Sequence, residues 1–88
     1  MSGKRFVYTA HFKKDYRRLP ENIKQAFAKQ IRFLQENPDH PSLDIKKMKD
    51  PRGIWRCKLT AGYRFTFQID GDTYLLRRIG PHDVEKKP

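Results

Sequence analysis

The period of the hydrophobic pattern changes once along this chain, from that of helices to that of strands. Between residues 10 and 35, apolar residues recur every three or four positions, the spacing of one face of an α-helix. Between residues 54 and 79, apolar and polar residues alternate in three short runs, as in strands with one buried face. We expect such a chain to gather its helices on one side of a mostly antiparallel sheet.

Two amphipathic helices are predicted in the first half, over residues 10–19 and 21–35, after a short strand at residues 5–9. Pro20 separates them, because proline stops one helix and suits the first turn of the next. The second helix ends before Pro38, since a residue that precedes proline disfavours helix. The apolar stripes are Phe12, Tyr16 and Leu19 in the first helix and Ile23, Phe27, Ile31 and Leu34 in the second.

Three strands are predicted in the second half, at residues 54–59, 63–69 and 73–79, and a basic connector at residues 44–53 precedes them. Asp70 and Gly71 form a strong hairpin signal between the last two strands. The predicted order is β-α-α-β-β-β. We therefore expect an α+β fold, an antiparallel-rich sheet covered on one face by an N-terminal helical hairpin, in one domain spanning residues 1–88.

Charge indicates the kind of partner. The 88 residues include 20 Lys and Arg against 10 Asp and Glu, a net charge of +10, which favours binding to polyanions. Alternation places Arg56, Lys58 and Arg64 on the strand face opposite the apolar one. Cations on a solvated strand face can also serve solubility or protect a sheet edge, so this pattern alone leaves function open.

Other classes of protein are disfavoured by composition. A single cysteine, Cys57, cannot form an internal disulfide, and His11 and His40 lack metal-ligand spacing, so no metal or other cofactor is expected. No apolar run approaches the ~20 residues that cross a bilayer, and the first residues do not resemble a signal peptide. We expect a cytoplasmic protein without a membrane partner.

Residues 12–38 and 46–83 together resemble the RelE/ParE superfamily of small toxins from type II toxin–antitoxin pairs. The motifs that carry the resemblance are "WRCKL", "GYRFTFQI" and "RRIGPHDV", in this order and spacing. The resemblance implies the same β-α-α-β-β-β fold. It also implies one of two activities. RelE-like members are ribosome-dependent, metal-independent mRNA endoribonucleases that inhibit translation, whereas ParE-like members inhibit DNA gyrase.

In the RNase branch, the resemblance implies catalytic roles for Arg56, Lys58, Arg64 and His82. Attack by the 2′-hydroxyl builds negative charge at phosphorus, which fixed cations stabilise, and an arginine fork suits this task. Histidine can donate the proton to the leaving group near neutral pH. Relatives carry a tyrosine near the C-terminus, where this chain has Glu85. The residues expected to contact RNA or the ribosome are Lys46, Lys47, Lys49, Arg77 and Arg78.

The implied partners are an acidic antitoxin, the ribosome and mRNA. DNA gyrase is the partner in the alternative interpretation. A third interpretation, favoured by the missing tyrosine, is a weak or inactive relative that binds only an antitoxin or RNA.

Overall fold

The computed structural model describes residues 4–88, which form two helices packed on one face of a five-stranded sheet. The elements are β1 (Arg5–Tyr8), α1 (Ala10–Arg17), α2 (Glu21–Glu36), β2 (Lys46–Lys47), β3 (Trp55–Lys58), β4 (Tyr63–Asp70) and β5 (Thr73–Pro81), with 3₁₀ helices at Pro41–Leu43 and His82–Lys86. The strand order is β1-β5-β4-β3-β2. β1 runs parallel to β5 and the other neighbours are antiparallel, which confirms the predicted α+β fold.

Thr9 explains where α1 begins and how it joins the sheet. Its hydroxyl accepts a hydrogen bond from the Phe12 backbone N–H at 3.0 Å, which caps the helix, and donates one to the Arg77 carbonyl of β5 at 3.0 Å. At the other end of the helical layer, the buried Gln30 amide donates to the carbonyls of Ser42 (3.1 Å) and Lys58 (2.9 Å). The start of α1 is thus bound to β5, and α2 is bound to the end of β3.

Aromatic rings fill the space between the helices and the sheet. Phe27 of α2 meets Phe65 of β4 edge-on, with ring centroids 5.3 Å apart, and Phe67 meets Tyr74 of β5 at 5.5 Å. Such edge-to-face pairs are the favoured geometry for aromatic rings. The predicted apolar stripes face this core, with Phe12, Leu19, Ile23, Phe27 and Leu34 buried and Tyr16 and Ile31 partly buried.

A β-bulge in β5 keeps the alternation compatible with the core. Thr66 pairs with Arg78 but Phe67 pairs with Leu76, so Arg77 is an extra residue in β5. Leu76 points toward the helices, and in a regular strand Arg78, two residues later, would point the same way. With the extra residue, Ile79 takes the core position and is 1% exposed.

Besides small shifts in the ends of elements, three differences from the sequence prediction bear on the outer part of the sheet. The basic connector contains the two-residue strand β2, and β5 continues to Pro81 rather than ending at residue 79. The face of the sheet opposite the helices, here called the outer face, was predicted to be exposed. This is wrong in part, because the 3₁₀ helix His82–Lys86 packs on it and Thr66 is completely buried there. Within residues 4–88, no helix has the length and apolar character needed to cross a membrane.

Candidate functional site

The register of β3 and β4 places the predicted cations together on the outer face. Lys58 pairs directly with Arg64, and Arg56 pairs with Thr66 in the same antiparallel ladder. Directly paired residues point to the same face, with Cβ atoms ~4.5–5.5 Å apart. Like charges at such a distance repel each other, so Lys58 and Arg64 favour an anion close by.

Glu85 supplies such an anion. Its carboxylate bridges the two arginines, 3.5 Å from Arg56 Nε and 3.4 Å from Arg64 Nε. Arg56 Nη1 also lies 3.9 Å from Asp44 Oδ2. The side chains of Arg56 and Arg64, here called the arginine pair, are only 15% and 17% exposed, against 32% for Glu85. The arginine pair is therefore a nearly buried anion site that an internal carboxylate occupies.

The arginine pair retains unused hydrogen-bond donors. Arg64 Nη1 donates to the carbonyl oxygens of Thr60 (2.7 Å) and Tyr63 (3.0 Å), which fixes the guanidinium beside the β3–β4 turn. Among the described residues, Arg56 Nη1, Arg64 Nε and the Thr66 hydroxyl are buried without a hydrogen-bond partner. Asp44 lies 3.9 Å from Arg56 Nη1, too far for a hydrogen bond, and Glu85 lies 3.4 Å from Arg64 Nε without forming one. Buried donors without a partner are rare in folded proteins. This site could therefore bind an anion with more oxygens than Glu85 offers.

His82 is placed beside the arginine pair by its backbone. Its N–H donates to the carbonyl of Gly62 at 2.9 Å, in the turn that precedes Arg64. The imidazole is exposed. The backbone of His82 therefore lies at the same end of the sheet as the pair formed by Lys58 and Arg64.

The side chains of the three lysines predicted to contact RNA do not all lie on one face of the sheet. Lys46 pairs with Arg56 across β2 and β3, which puts it on the outer face. Lys47 faces the other way, with its amine 5.9 Å from the centroid of the Trp55 ring. All three lysines, including Lys49, are exposed.

The two arginines of β5 already have partners. Arg78 forms an ion pair with Asp15 of α1, at 2.7 Å from Nε and 3.2 Å from Nη2. Asp15 also accepts the backbone N–H of Ile79 at 3.2 Å, so this pair joins α1 to the edge of β5. Arg77 donates to the Gln68 amide oxygen and to the Pro88 carbonyl. Both arginines were predicted to contact RNA, and in this structure each is held by contacts within the protein.

Cys57 points into the core from β3. It is completely buried, and burial raises the pKa of the thiol to about 12, with a smaller contribution from the Asp44 charge. A thiol that stays protonated is a poor nucleophile and a poor metal ligand. In the part of the chain that the structure describes, no three His, Cys, Asp or Glu side chains are grouped as a metal would require.

Residues 6–84 match the family model for the ParE toxin of type II toxin–antitoxin systems, parDE. The chain belongs to this toxin family. Among curated protein sequences, none matches it significantly.

Solved toxin structures share the fold of this ParE-family chain. A chain of the RelB–RelE antitoxin–toxin complex from Methanococcus jannaschii is 24% identical, with a TM-score of 0.74, covering 92% of this chain and 95% of that one. A metal-bound toxin from Helicobacter pylori is 23% identical with a TM-score of 0.78, covering 92% and 97%. YafQ from E. coli strain BL21(DE3) is 12% identical with a TM-score of 0.77, covering 92% and 96%. At these identities the likeness shows the fold.

Of the two counter-ions of the arginine pair, Asp44 was not anticipated from the sequence. The resemblance singled out Glu85, which stands in place of a family tyrosine and was expected to bring negative charge near the phosphate. One signal was available: Gly80 lies inside a strand, and a strand glycine often marks a close approach by another segment. A Cβ atom at Gly80 would lie 2.9 Å from Val84 Cγ1, so the glycine provides the space in which the C-terminal 3₁₀ helix packs.

Proposed function

We propose that this ParE-family chain is a toxin that cleaves mRNA on the ribosome without a metal and so inhibits translation. The observation that carries the proposal is the arginine pair, in which two guanidinium groups on neighbouring strands converge on one carboxylate. A site that holds a carboxylate in this way also suits a phosphate, since both anions can accept two parallel hydrogen bonds from an arginine fork.

In the proposed reaction, the 2′-hydroxyl oxygen attacks phosphorus and the bond to the 5′-oxygen breaks. Arg64 stabilises the negative charge that develops on the non-bridging oxygens, and Arg56 holds the backbone. Lys58 binds the phosphate, and the 2′-hydroxyl proton passes to water as the new bond to phosphorus forms. His82 donates the proton that the 5′-oxygen needs to leave. Glu85 leaves the arginine pair when the phosphate enters.

Primer extension on mRNA tests this proposal, with wild type and Arg64→Ala on programmed ribosomes. We expect discrete cleavage products for wild type and ~10²–10³-fold less for the variant, the usual effect of removing one transition-state donor. Arg64 is nearly buried, so circular dichroism must show that the variant is folded. Arg64→Lys keeps the charge without the fork and serves as the second variant. Absence of cleavage by the wild type would contradict the proposal.

Gyrase inhibition is the second candidate. The match of residues 6–84 to the ParE model favours it, as does the occupation of the arginine pair by Glu85, which a protein without RNase activity would tolerate. The decisive measurement is inhibition of gyrase supercoiling by the purified chain beside the ribosome assay. Inhibition of supercoiling without mRNA cleavage would establish this alternative.

The proposed protein partner is an acidic antitoxin. Several of the solved relatives are toxins in complex with RelB or DinJ antitoxins. On this chain, an open groove of about 430 Å³ is lined by four aromatic rings and two cations: Tyr8, Phe12, Tyr16, Phe27, Lys13 and Arg17. An amphipathic acidic helix fits these features, with apolar side chains in the groove and carboxylates at its rim. Affinity of the purified pair should fall as salt rises, and a constant affinity would contradict the electrostatic part.

A further inference from the structure

A second group of cations surrounds an open pocket of about 530 Å³ beside the bulge in β5. The pocket lies where α1 begins and where the chain passes after the C-terminal 3₁₀ helix. Its lining includes Thr9 and Pro88 but no large apolar side chain. The charged side chains at its wall include Arg52, Arg77, Arg78, Lys86 and Lys87, with Asp50 as the one acidic side chain among the described lining residues. We call this site the basic pocket.

Hydrogen bonds hold Arg77 in position at this wall. Its Nη1 donates to the Gln68 amide oxygen at 2.8 Å and its Nε donates to the Pro88 carbonyl at 3.1 Å. The Gln68 amide nitrogen in turn donates to the carbonyl of Arg52 at 2.8 Å. Gln68 thus sets the position of Arg77 relative to the segment that carries Arg52.

The positive charge of the basic pocket is only partly compensated. Asp50 accepts two hydrogen bonds from the Arg52 guanidinium, which hold the pKa of Asp50 at about 2, and Asp15 pairs with Arg78. Arg77 has no Asp or Glu side chain within 4.0 Å in residues 4–88, and its Nε contacts an oxygen of Pro88, the last residue of the sequence, at 3.1 Å. Burial, and to a smaller extent repulsion by Arg52, lower the pKa of Arg77, so an added anion between these two arginines would be stabilised.

We propose that the basic pocket binds a phosphate of a polynucleotide backbone, next to the phosphate that the arginine pair would hold. This inference rests on the proposed RNA substrate. Thr66 pairs with Arg56 on one side and with Arg78 on the other, so the two sites belong to one row of the sheet. Positions two strands apart are separated by ~10 Å. A single-stranded RNA crossing β3, β4 and β5 can therefore contact both.

The lining favours a polynucleotide over an acidic protein. Stable protein interfaces have an apolar, aromatic-rich centre, and the basic pocket offers Pro88 as its only apolar lining residue among those described. A nucleic-acid backbone needs cations and hydrogen-bond donors, which the arginine forks and two lysines supply. An acidic peptide is thus the competing ligand that the test must include.

The test measures binding without cleavage. Inorganic phosphate, and then a 2′-O-methyl RNA oligonucleotide that cannot attack itself, are added to ¹⁵N-labelled protein while the Nε–Hε signals of the arginines are followed. Saturable shifts are expected at Arg77 and Arg52 with both ligands. In RNA titrations at several salt concentrations, Arg77→Gln should lower the slope of log affinity against log salt by ~0.7, the single-strand value for one phosphate contact.

Arg32→Gln is the matched control, because Arg32 is exposed on α2, away from the outer face. Lys86→Gln/Lys87→Gln removes charge from the pocket while leaving the contacts among Arg77, Gln68 and Arg52 intact, so it remains informative if Arg77→Gln does not fold. Equal slopes for Arg32→Gln and both pocket variants, or silent Arg77 and Arg52 signals, would overturn the proposal. Shifts caused by polyglutamate and not by RNA would reassign the pocket to a protein. Pocket binding with no mRNA cleavage by the wild type would overturn the RNase proposal alone.

Discussion

At the scale of single residues, Glu85 determines the state of the candidate site. Its carboxylate lies within 3.5 Å of both Arg56 and Arg64. A bound phosphate has to displace this carboxylate. The residue that partly compensates the charge of the two nearly buried guanidinium groups is therefore also a competitor of the proposed substrate.

Replacing Glu85 with glutamine should strengthen RNA binding. The substitution removes one negative charge while keeping the shape of the side chain, and a partly exposed ion pair is worth up to ~1 kcal/mol, so we expect about a fivefold gain in affinity. Fluorescence anisotropy with a short single-stranded RNA measures it. Glu36→Gln makes the same change of charge at an exposed site at the end of α2 and is the control. An equal gain in both variants would show that only net charge matters.

Cys57 gives the protein a dependence of stability on alkaline pH. Burial raises the pKa of its thiol from 9.0 to about 12, so the folded state retains a proton that the unfolded state loses above pH 9. The protonated thiol therefore makes its full contribution to the free energy of unfolding below pH 9. This contribution falls as pH rises from 9 towards 12. Urea unfolding between about pH 8 and pH 11 measures this fall.

Cys57→Ala distinguishes the contribution of the thiol to this pH dependence from that of the tyrosines. The pKa values of Tyr8 and Tyr74 are also raised by burial, and these residues remain in the variant. Cys57→Ala should be less stable at about pH 8, because it leaves a small cavity. Its stability should fall less steeply above pH 9 than that of the wild type. Parallel curves for the two proteins would mean that the thiol makes no contribution.

At the scale of elements, the C-terminal 3₁₀ helix links the sheet to the candidate site. Val84 is buried over Gly80, the His82 N–H is bound to the Gly62 carbonyl, and Glu85 reaches the arginine pair. All of these contacts are made by the short stretch of chain from Gly80 to Glu85, so a local change in packing should alter the arginine pair as well.

Gly80→Ala tests the packing of the C-terminal 3₁₀ helix on Gly80. The new Cβ would lie 2.9 Å from Val84 Cγ1, and crowding of this kind typically costs ~1–3 kcal/mol. We expect a loss of stability in that range in urea unfolding, and partial recovery when Val84→Ala is added. Gly62→Ala is the control, because a Cβ atom at Gly62 would have no atom within 4 Å and its φ is not positive. Additive effects of the Gly80 and Val84 substitutions would contradict direct contact between them.

At the scale of the whole molecule, a net charge of +10 predicts attachment to RNA that weakens steeply with salt. The question is whether position matters beyond total charge. Replacing Lys46, Lys47 and Lys49 with glutamine should reduce the salt slope of ribosome binding by about 2, at ~0.7 for each phosphate contact.

A second triple variant provides the comparison. Lys13, Lys14 and Lys29 are also exposed but lie on the helices, so their replacement changes net charge by the same amount away from β2. Filter binding to purified ribosomes between about 50 and 300 mM salt compares the salt slopes of the two triple variants. The same slope in both would identify the lysines in and beside β2 as part of a general solvated surface.

Local patterns determined the order and type of the elements. Alternation, helical spacing and turn residues such as Asp70 and Gly71 act over a few positions, and they predicted the first strand, both helices, the last three strands and a helical layer on one face. Resemblance added the residues of the proposed site. The two-residue strand β2 was missed because its pairing with β3 is made across a loop, and nothing within "KK" itself indicates a strand.

Only the tertiary structure decided which charges meet. Asp44 and Glu85 lie 12 and 29 positions from Arg56 along the chain, yet both come within 4.0 Å of its guanidinium. The bulge at Arg77 and the space above Gly80 set the meeting with Glu85, and both depend on how β5 packs against β4 and the C-terminal 3₁₀ helix. The sequence alone determined that one sheet face would be basic. Long-range packing decided that its two central arginines are nearly buried and already hold a carboxylate.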